Sequence, residues 1–491
     1  MTELRQQTVA GVRWMGLSQI FVQVARFVFT AVMARFVSPS EFGLYQMAAV
    51  FTGFASLLCD VGLGAALVQQ KEIEERHLNS TFWLNVGISV MLAVGLCLFS
   101  GVLARTYQKP VVAILICVVS ADFVISSLAI VHRALVIRAM DFRRLAVAEA
   151  AGIVGGGVTG VIFAVLGGGV WSIAALVLGT TGVTTLMLWR AQTWRPAFVI
   201  RGMVSRELLN FGLHLQGFNL VNYWLRNLDK LLIGRNFGEA ALGLYSRAYS
   251  AMLLPQAQVS AVLDRVMWPA LARCGDDRAR LRGAYLQALR LVSFVSLPLM
   301  LGLMVVAEDF VRVLYGPSWT GCVRTLQLLC IAGAAQAPGS TAGWLYLATG
   351  NTRKLLIWGI GAGVVIGTGM FAGVVWGSIN RVAAIYAAVS LVLVAPTFIV
   401  AGSCVGLKLR DAASAIGGSL VASLFMALVV TVLVRSLPNC PPPLRLAAGV
   451  LVGTTSYAGI AWVSRMNVAR ELVTLAREMI HKSKPAGMGR G

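Results

Sequence analysis

The sequence is poor in charged residues, in paired cysteine motifs and in long polar segments. Asp, Glu, Lys and Arg make up 12% of its 491 residues, whereas 58% of the residues are hydrophobic. Because soluble domains carry about 25% charged residues, this composition predicts a polytopic membrane protein. The eight cysteines occur singly, without a CxxC motif, so neither a zinc site nor a disulfide framework is indicated.

The net charge of +21 does not predict nucleic-acid binding, because the basic residues fall between apolar segments. The first apolar segment is too long for a signal-peptide core, and no small-residue cleavage site follows it, so no cleavable signal is expected. The connections are short, and none is large enough for a separate soluble domain.

Apolar windows of about 20 residues predict an all-α polytopic membrane protein with about fourteen transmembrane helices. The predicted limits are 12–36, 42–69, 78–104, 111–132, 145–166, 168–189, 209–234, 241–268, 285–307, 323–347, 355–376, 382–404, 412–434 and 444–464.

The loops between these spans alternate in positive charge. When residues near the span ends are counted with the adjoining loop, one set, together with both termini, holds 26 of the 41 Lys and Arg residues, and the other set holds nine. Since cytoplasmic loops are enriched in Lys and Arg, both termini are expected in the cytoplasm. The chain is predicted to cross the membrane many times.

An internal repeat connects two segments 200 residues apart. "RFVFTAVMARFVSPSEFGLYQMA" (26–48) aligns without gaps with "RNLDKLLIGRNFGEAALGLYSRA" (226–248), and both arginines and the "GLY" tripeptide coincide. Each repeat then holds six helices, an even number, so both enter the membrane in the same orientation. Their pseudo-symmetry axis is expected to lie along the bilayer normal.

This repeat predicts two pseudo-symmetric six-helix lobes plus two C-terminal helices. The lobes are assigned to residues 1–200 and 201–404, and helices thirteen and fourteen to residues 405–465. The remaining residues, 466–491, are predicted to form a basic amphipathic tail on the anionic inner leaflet.

The first helix of each repeat carries a polar stripe at helical spacing. The stripes are Gln19, Gln23, Arg26 and Thr30 in span one, and Asn219, Asn222, Tyr223, Arg226 and Lys230 in span seven. Since lipid penalises such side chains, the stripes are expected to face a shared water-filled cavity. The alternative is a dry interface in which polar groups tie helices together. Asp229 is expected to pair with Arg226, three residues away.

Two glycine faces, each spaced by four residues, predict close helix packing. The first glycine face is Gly152, Gly156 and Gly160, and the second is Gly359, Gly363 and Gly367. Three further acidic residues lie within spans. Asp60, Asp122 and Asp264 each have two explanations, a transport role or a structural ion pair or helix cap.

Several segments resemble the polysaccharide-transporter branch of the MOP flippase superfamily, the Wzx-type exporters of lipid-linked oligosaccharides. They are "ARFVSPSEFGLYQMAAV", "FRRLAVAE", "NYWLRNLDKLLIGRNFGEAALGLYSRAYSAMLLP" and "PLMLGLMVVAEDFVRVLYGPSW". The resemblance implies transfer of an undecaprenyl-diphosphate-linked glycan from the inner to the outer leaflet. It also implies two six-helix lobes and alternating access, with membrane lipid and the polymerase and export machinery of the same pathway as partners.

The polar stripes suit this polyanionic substrate. Arg26, Arg226 and Lys230 are the candidates for neutralising its diphosphate, since arginine binds phosphate through two hydrogen bonds. The other substrate-binding candidates are Gln23, Asn222, Tyr223 and, more weakly, Arg247 near the outer interface. Asp229 is the candidate for binding a coupling proton or ion. No cofactor is expected, and an H⁺ or Na⁺ gradient would drive transport.

Three other functions remain as alternatives. A lipid II-type flippase would differ only in its glycan, whereas a multidrug exporter of the same superfamily is expected to carry carboxylates for cationic drugs. A membrane glycan polymerase or ligase would normally place its catalytic groups on a large outer loop, and the outer loops here are short. The sequence therefore favours a transporter without enzymatic activity.

Overall fold

The computed structural model describes residues 2–59, 64, 67–68, 73–198, 223–224, 226–255, 271 and 277–464. Within these ranges the chain forms helices and turns but no strand, so the predicted all-α class is confirmed. The helices are α1 (Thr2–Phe36), α2 (Pro39–Cys59), α3 (Glu75–Tyr107), α4 (Pro110–Ser127), α5 (Ile130–Arg138), α6 (Phe142–Val165), α7 (Val170–Ala191), the helical segment α8 (226–255), which turns at Gly238 (φ 81°), α9 (Arg278–Val305), α10 (Ala307–Leu314), α11 (Val323–Ser340), α12 (Ala342–Ala348), α13 (Thr352–Val375), α14 (Ile379–Gly402), α15 (Leu409–Ser436) and α16 (Pro442–Val463). A 3₁₀ turn, Pro317–Cys322, precedes α11.

Ten helical segments in the described ranges are long and apolar enough to cross a membrane. The chain is therefore an integral membrane protein. The other four predicted spans, 12–36, 209–234, 241–268 and 323–347, overlap α1, α8 and the consecutive pair α11–α12.

Several helices begin where local side chains bind the free backbone amides of the first turn. At α2, the Ser38 amide and hydroxyl both donate to the Glu41 carboxylate, at 2.7 and 2.8 Å, and the Glu41 amide donates to the Ser38 hydroxyl at 3.3 Å. Asp141 caps α6 and Asp277 caps α9 in a similar way. Because such capping depends on neighbouring residues only, it fixes helix starts locally.

The first compact unit comprises Met1–Ser246 and Leu314–Ser318. Its helices α6 and α7 approach closely along the first glycine face. A Cβ atom on Gly156 would lie 2.4 Å from the Thr180 amide nitrogen and 2.5 Å from the Leu176 carbonyl oxygen, so only glycine fits there. The close packing predicted for this face is confirmed.

The second compact unit comprises Arg247–Val313 and Trp319–Gly491. Its last helix, α16, is attached by two polar contacts. The Tyr457 hydroxyl donates to the Phe294 carbonyl of α9 at 2.8 Å. Arg445 binds the Asp309 carboxylate of α10 through its Nε, at 2.9 and 2.8 Å, and through Nη2. The predicted domain boundaries at residues 200 and 404 stay predictions.

The second glycine face does not pack closely at its first residue. A Cβ atom on Gly359 would meet nothing within 4 Å. Helix α13 approaches α14 further along, where a Cβ atom on Gly373 would lie 2.7 Å from the Val382 Cα atom. The expectation of close packing at Gly359 was wrong because spacing identifies a smooth helix face, whereas the crossing point depends on the partner helix.

Candidate functional site: exposed cations on two helices

Arg26 lies on the outward side of α1. The adjacent part of the helix surface is buried, where Val22 and Ala25 pack against Ile153 of α6. Arg26 is exposed and Gln23 is half-buried, and neither forms a hydrogen bond or ion pair with another described residue. Packing of α1 on α6 therefore leaves the Arg26 guanidinium without a partner among the described residues.

Arg226, the residue equivalent to Arg26 in the second repeat, is also exposed. It forms no hydrogen bond or ion pair within the described part of the chain. The two repeats thus each present an arginine whose donors are unoccupied by the described residues.

Lys230 belongs to a short series of hydrogen bonds along α8. Its Nζ atom donates to the Asn227 side-chain oxygen at 2.9 Å, and the Asn227 amide nitrogen donates to the Tyr223 carbonyl at 2.9 Å. The sequence analysis missed Asn227, although its spacing of three from Lys230 and four from Tyr223 places it on the same helix face. Asn227 holds the Lys230 ammonium against the helix and leaves donors free on it.

Tyr223 attaches α8 to α2. Its hydroxyl lies 2.7 Å from the Val50 carbonyl oxygen and 3.3 Å from that of Ala49, and its ring packs 6.1 Å from the Phe54 ring. The side chain is half-buried. Since the hydroxyl donates its single proton to the backbone of α2, the geometry gives Tyr223 a positional role beside the exposed cations.

Asp229 does not pair with Arg226, so that expectation was wrong. Its residue is 2% exposed, and its two carboxylate oxygens accept hydrogen bonds from the Lys230 amide at 2.7 Å and the Tyr245 hydroxyl at 3.0 Å. Asp229 points into the protein while Arg226 is exposed, because residues three apart lie about 60° apart around a helix and the edge of the buried face falls between these two. Tyr245, the tyrosine of the repeated "GLY" tripeptide, was the partner that sequence analysis missed.

Arg247 is 6% exposed, and its guanidinium lies 5.3 Å from the centre of the Trp319 ring. Trp319 itself is fully buried in the 3₁₀ turn before α11. The stacking of guanidinium on indole stabilises this turn. The structure thus places Arg247 in the protein interior.

Other predicted positions lie outside the described residues. They are Asn219, Asn222, Asp60, Asp264 and the tail from residue 466.

The described cations suit an anionic ligand with two or more phosphate oxygens. Guanidinium groups bind such oxygens in pairs, and an ammonium adds a point charge. Within the described ranges no group of three or more His, Cys, Asp or Glu side chains could hold a metal ion.

The fold is that of a multi-pass helical membrane protein. Among solved structures, a lipid II flippase, MurJ, in an inward closed conformation superposes with a TM-score of 0.70, covering 93% of this chain and 99% of that one at 15% identity. The likeness concerns the fold alone, and it confirms the predicted fold class.

Residues 32–324, more than half of the chain, match the family model described as "Polysaccharide biosynthesis protein", and the chain belongs to this family. The lipopolysaccharide biosynthesis protein WzxC of Escherichia coli (strain K12) is 29% identical over 70% of this chain and 70% of its own length. The succinoglycan biosynthesis transport protein ExoT of Rhizobium meliloti (strain 1021) is 28% identical over 97% of both chains. The predicted membership of the polysaccharide-transporter branch is confirmed.

Proposed function

We propose that this protein is a flippase for undecaprenyl-diphosphate-linked oligosaccharide repeat units. It moves them across the bacterial inner membrane by alternating access, for the synthesis of exopolysaccharide, capsule or O-antigen. The family and the names of the two relatives support a role in polysaccharide export. The observation that carries the proposal is the pair of exposed arginines, Arg26 and Arg226, at equivalent positions of the two repeats.

The physical argument concerns where such arginines are tolerated. An arginine at the centre of a membrane helix costs roughly 2.5–3.5 kcal/mol on insertion scales, so lipid is an unfavourable environment for both residues. A water-filled cavity removes this penalty, and an anionic ligand there gains charge-assisted hydrogen bonds. Arg26, Arg226 and Lys230 therefore neutralise the diphosphate, while Gln23 and Asn222 contact the polar part of the substrate.

Export of the glycan in a strain that lacks the chromosomal gene tests the site. Arg226→Ala and Arg26→Ala are expected to lower export severely at normal membrane abundance. Arg226→Lys keeps the charge but loses the paired donors, so partial export is expected. Arg190→Ala, which removes an exposed arginine at the end of α7, is the matched control and should export normally. Normal export by Arg226→Ala would contradict the proposed site.

The lipid that accumulates in the deletion strain identifies the substrate. A diphosphate-linked repeat unit of a surface polysaccharide is expected on the cytoplasmic leaflet. Accumulation of the cell-wall precursor lipid II would favour the alternative flippase, and sensitivity to cationic drugs without any lipid intermediate would favour a multidrug exporter.

We further infer that both termini are cytoplasmic. Single cysteines placed near residues 5, 140, 200, 278, 408 and 484 should be protected from an impermeant thiol reagent in intact cells. Cysteines near residues 38, 108, 238 and 316 should react. A reactive C-terminal position would contradict this orientation.

The proposed transport breaks no covalent bond, so no enzymatic activity and no cofactor are required. An H⁺ or Na⁺ gradient supplies the free energy for transport, and Asp229 is a candidate carboxylate for binding the coupling ion. The polymerase and export proteins of the same pathway are the proposed protein partners.

A further inference from the structure

Asp122 is an acidic residue in the middle of the membrane-spanning helix α4. Asp122 follows Pro110, the start of the helix, by twelve residues. This spacing corresponds to about 18 Å at the rise of an α-helix. Since the hydrocarbon core is about 30 Å thick, this position is close to its centre. Such a residue has two structural explanations, a helix cap and an ion pair.

Neither explanation fits. Helix α4 continues from Asp122 to Ser127, so Asp122 is not a cap. It has no ion pair with any described residue, and its Oδ1 atom is buried without a hydrogen-bond partner. The Thr181 hydroxyl of α7 lies within hydrogen-bonding reach of the carboxyl group, and Tyr45 of α2 is the other polar neighbour.

The helices packed against α4 are α2, α3 and α7, and their described residues bring no cation to this depth. Around the adjacent Phe123, α2 and α3 contribute apolar side chains and the Cys59 thiol. On α7, Arg190 lies nine residues beyond Thr181, or about 14 Å along the axis. The charged and titratable residues of the packed helices are Glu41, Tyr45 and Cys59 on α2, Glu75, Arg76, His77, Cys97, Arg105 and Tyr107 on α3, and Arg190 on α7, with Cys117 on α4 itself.

A carboxylate without a counter-cation at this depth costs several kcal/mol, and protonation removes that cost. The residue as a whole is half-buried, so its carboxyl group is not sealed within the protein. The neutral acid can still accept a hydrogen bond from the Thr181 hydroxyl.

We propose that Asp122 is a proton-binding site of the first unit, and that its protonation couples the proton gradient to transport. The step forms and breaks one O–H bond only: the carboxylate takes up a proton from one side of the membrane and releases it to the other. Its coupling part rests on the proposed function, whereas proton binding itself does not.

Carbodiimide labelling tests proton binding without any substrate. Dicyclohexylcarbodiimide reacts with protonated carboxyl groups in apolar surroundings, so the full-length protein in lipid nanodiscs is treated across a pH series and the modified peptides are identified by mass spectrometry. Asp122 should be modified, with labelling that falls as pH rises. Asp411, which is bound to Arg282 at 2.7 Å, should stay unmodified. Absence of label on Asp122, or protection of it by Na⁺ at constant pH, would overturn the proposal.

Export assays test coupling. Asp122→Asn should abolish export at normal membrane abundance, and Asp122→Glu should restore part of it with a shifted pH dependence of labelling. Ser126→Ala, one turn further along α4, is the matched control and should export normally. Normal export by Asp122→Asn would overturn coupling even if the label is present. If the proposed substrate site is wrong, Asp122 is still labelled by the carbodiimide. If Asp122 does not bind a proton, the label is absent, so the two failures are distinguishable.

Discussion

Gly43 lies against the backbone of Glu239, four residues before Gly243, and Gly243 lies against the backbone of Pro39, four residues before Gly43. The two glycines occupy equivalent positions of the two sequence repeats. A Cβ atom on Gly43 would lie 1.7 Å from the Glu239 carbonyl oxygen, and one on Gly243 would lie 1.9 Å from the Pro39 carbonyl oxygen. Pro39 and Glu239 are themselves equivalent in the repeat. The contact is therefore reciprocal, as expected for a local two-fold relation between the two "GLY" segments.

This contact predicts that Gly43→Ala and Gly243→Ala are both destabilising. Each new methyl group meets backbone atoms, which cannot rotate away, so a loss of about 1–3 kcal/mol is expected. Gly101→Ala in α3, where a Cβ atom meets nothing within 4 Å, should be neutral or slightly stabilising. Thermal unfolding followed by size-exclusion chromatography measures all three, and equal stability of the three variants would contradict the close approach.

The hydrogen bond between Tyr245 and Asp229 predicts parallel effects of two conservative variants. Tyr245→Phe leaves a buried carboxylate oxygen unpaired, which costs about 1–3 kcal/mol. If Asp229 is structural, Asp229→Asn lowers stability similarly and export follows membrane abundance. If Asp229 binds the coupling ion, Asp229→Asn abolishes export at normal abundance while Tyr245→Phe retains it. Export and abundance are therefore measured together for both variants.

Glu239 provides a pH-dependent contact in the predicted outer loop between spans seven and eight. The Lys109 ammonium donates to its carboxylate at 2.8 Å and thereby lowers the pKa of Glu239 below its ordinary value. The folded protein thus holds this proton less tightly than the unfolded chain. The stabilisation is complete above the ordinary glutamate pKa of about 4.3 and is lost as pH falls through the lower folded pKa.

The partly exposed pair contributes less than about 1 kcal/mol, because solvent screens it. Melting temperatures measured from neutral pH into the acid range should fall less steeply in Glu239→Gln than in the parent protein. Lys109→Met should reproduce this flatter profile. A steeper fall in Glu239→Gln would show that the sign is wrong.

The buried pair Asp309–Arg445 is expected to hold α16 in place. Arg445→Ala leaves the Asp309 carboxylate, whose residue is 1% exposed, without its counter-charge, and about 3–5 kcal/mol is expected to be lost. The double variant Asp309→Leu/Arg445→Met should recover most of this loss. Arg312→Ala removes an exposed i,i+4 bond to Glu308 and should cost about 0.5 kcal/mol or less. Similar losses for Arg445→Ala and Arg312→Ala would contradict the structural role.

The helices and the first glycine face were predictable because both depend on short-range regularities. A run of apolar residues forms a helix in lipid wherever it folds, since its backbone polar groups have no other partners. Glycine recurs every four residues at Gly152, Gly156 and Gly160, so a helix that packs on this face can approach closely. Gly359 follows the same spacing, but α14 crosses α13 elsewhere, so spacing alone gave the wrong contact.

The candidate site was predictable only in part. The two polar stripes, one containing Arg26 and the other Arg226, were predictable from helical spacing. Charged residues are unfavourable within an apolar segment, so their regular spacing indicates a polar environment. The partner of Asp229 was not predictable, since Tyr245 lies 16 residues away, and its approach depends on how the chain turns between the two. Burial of Arg247 likewise depends on the position of Trp319, which lies far along the chain.

The sequence by itself determined the class, the repeat and the cations that need a polar environment, because hydropathy, spacing and charge act locally along each helix. Only the tertiary structure decided which polar side chains pair within the protein and which remain exposed. It placed Asp229 on Tyr245, Arg445 on Asp309 and Gly43 against Glu239, and it left Asp122 without a counter-charge among the described residues. Such pairing depends on the crossing points and rotations of distant helices, and these follow from the packing of the whole unit.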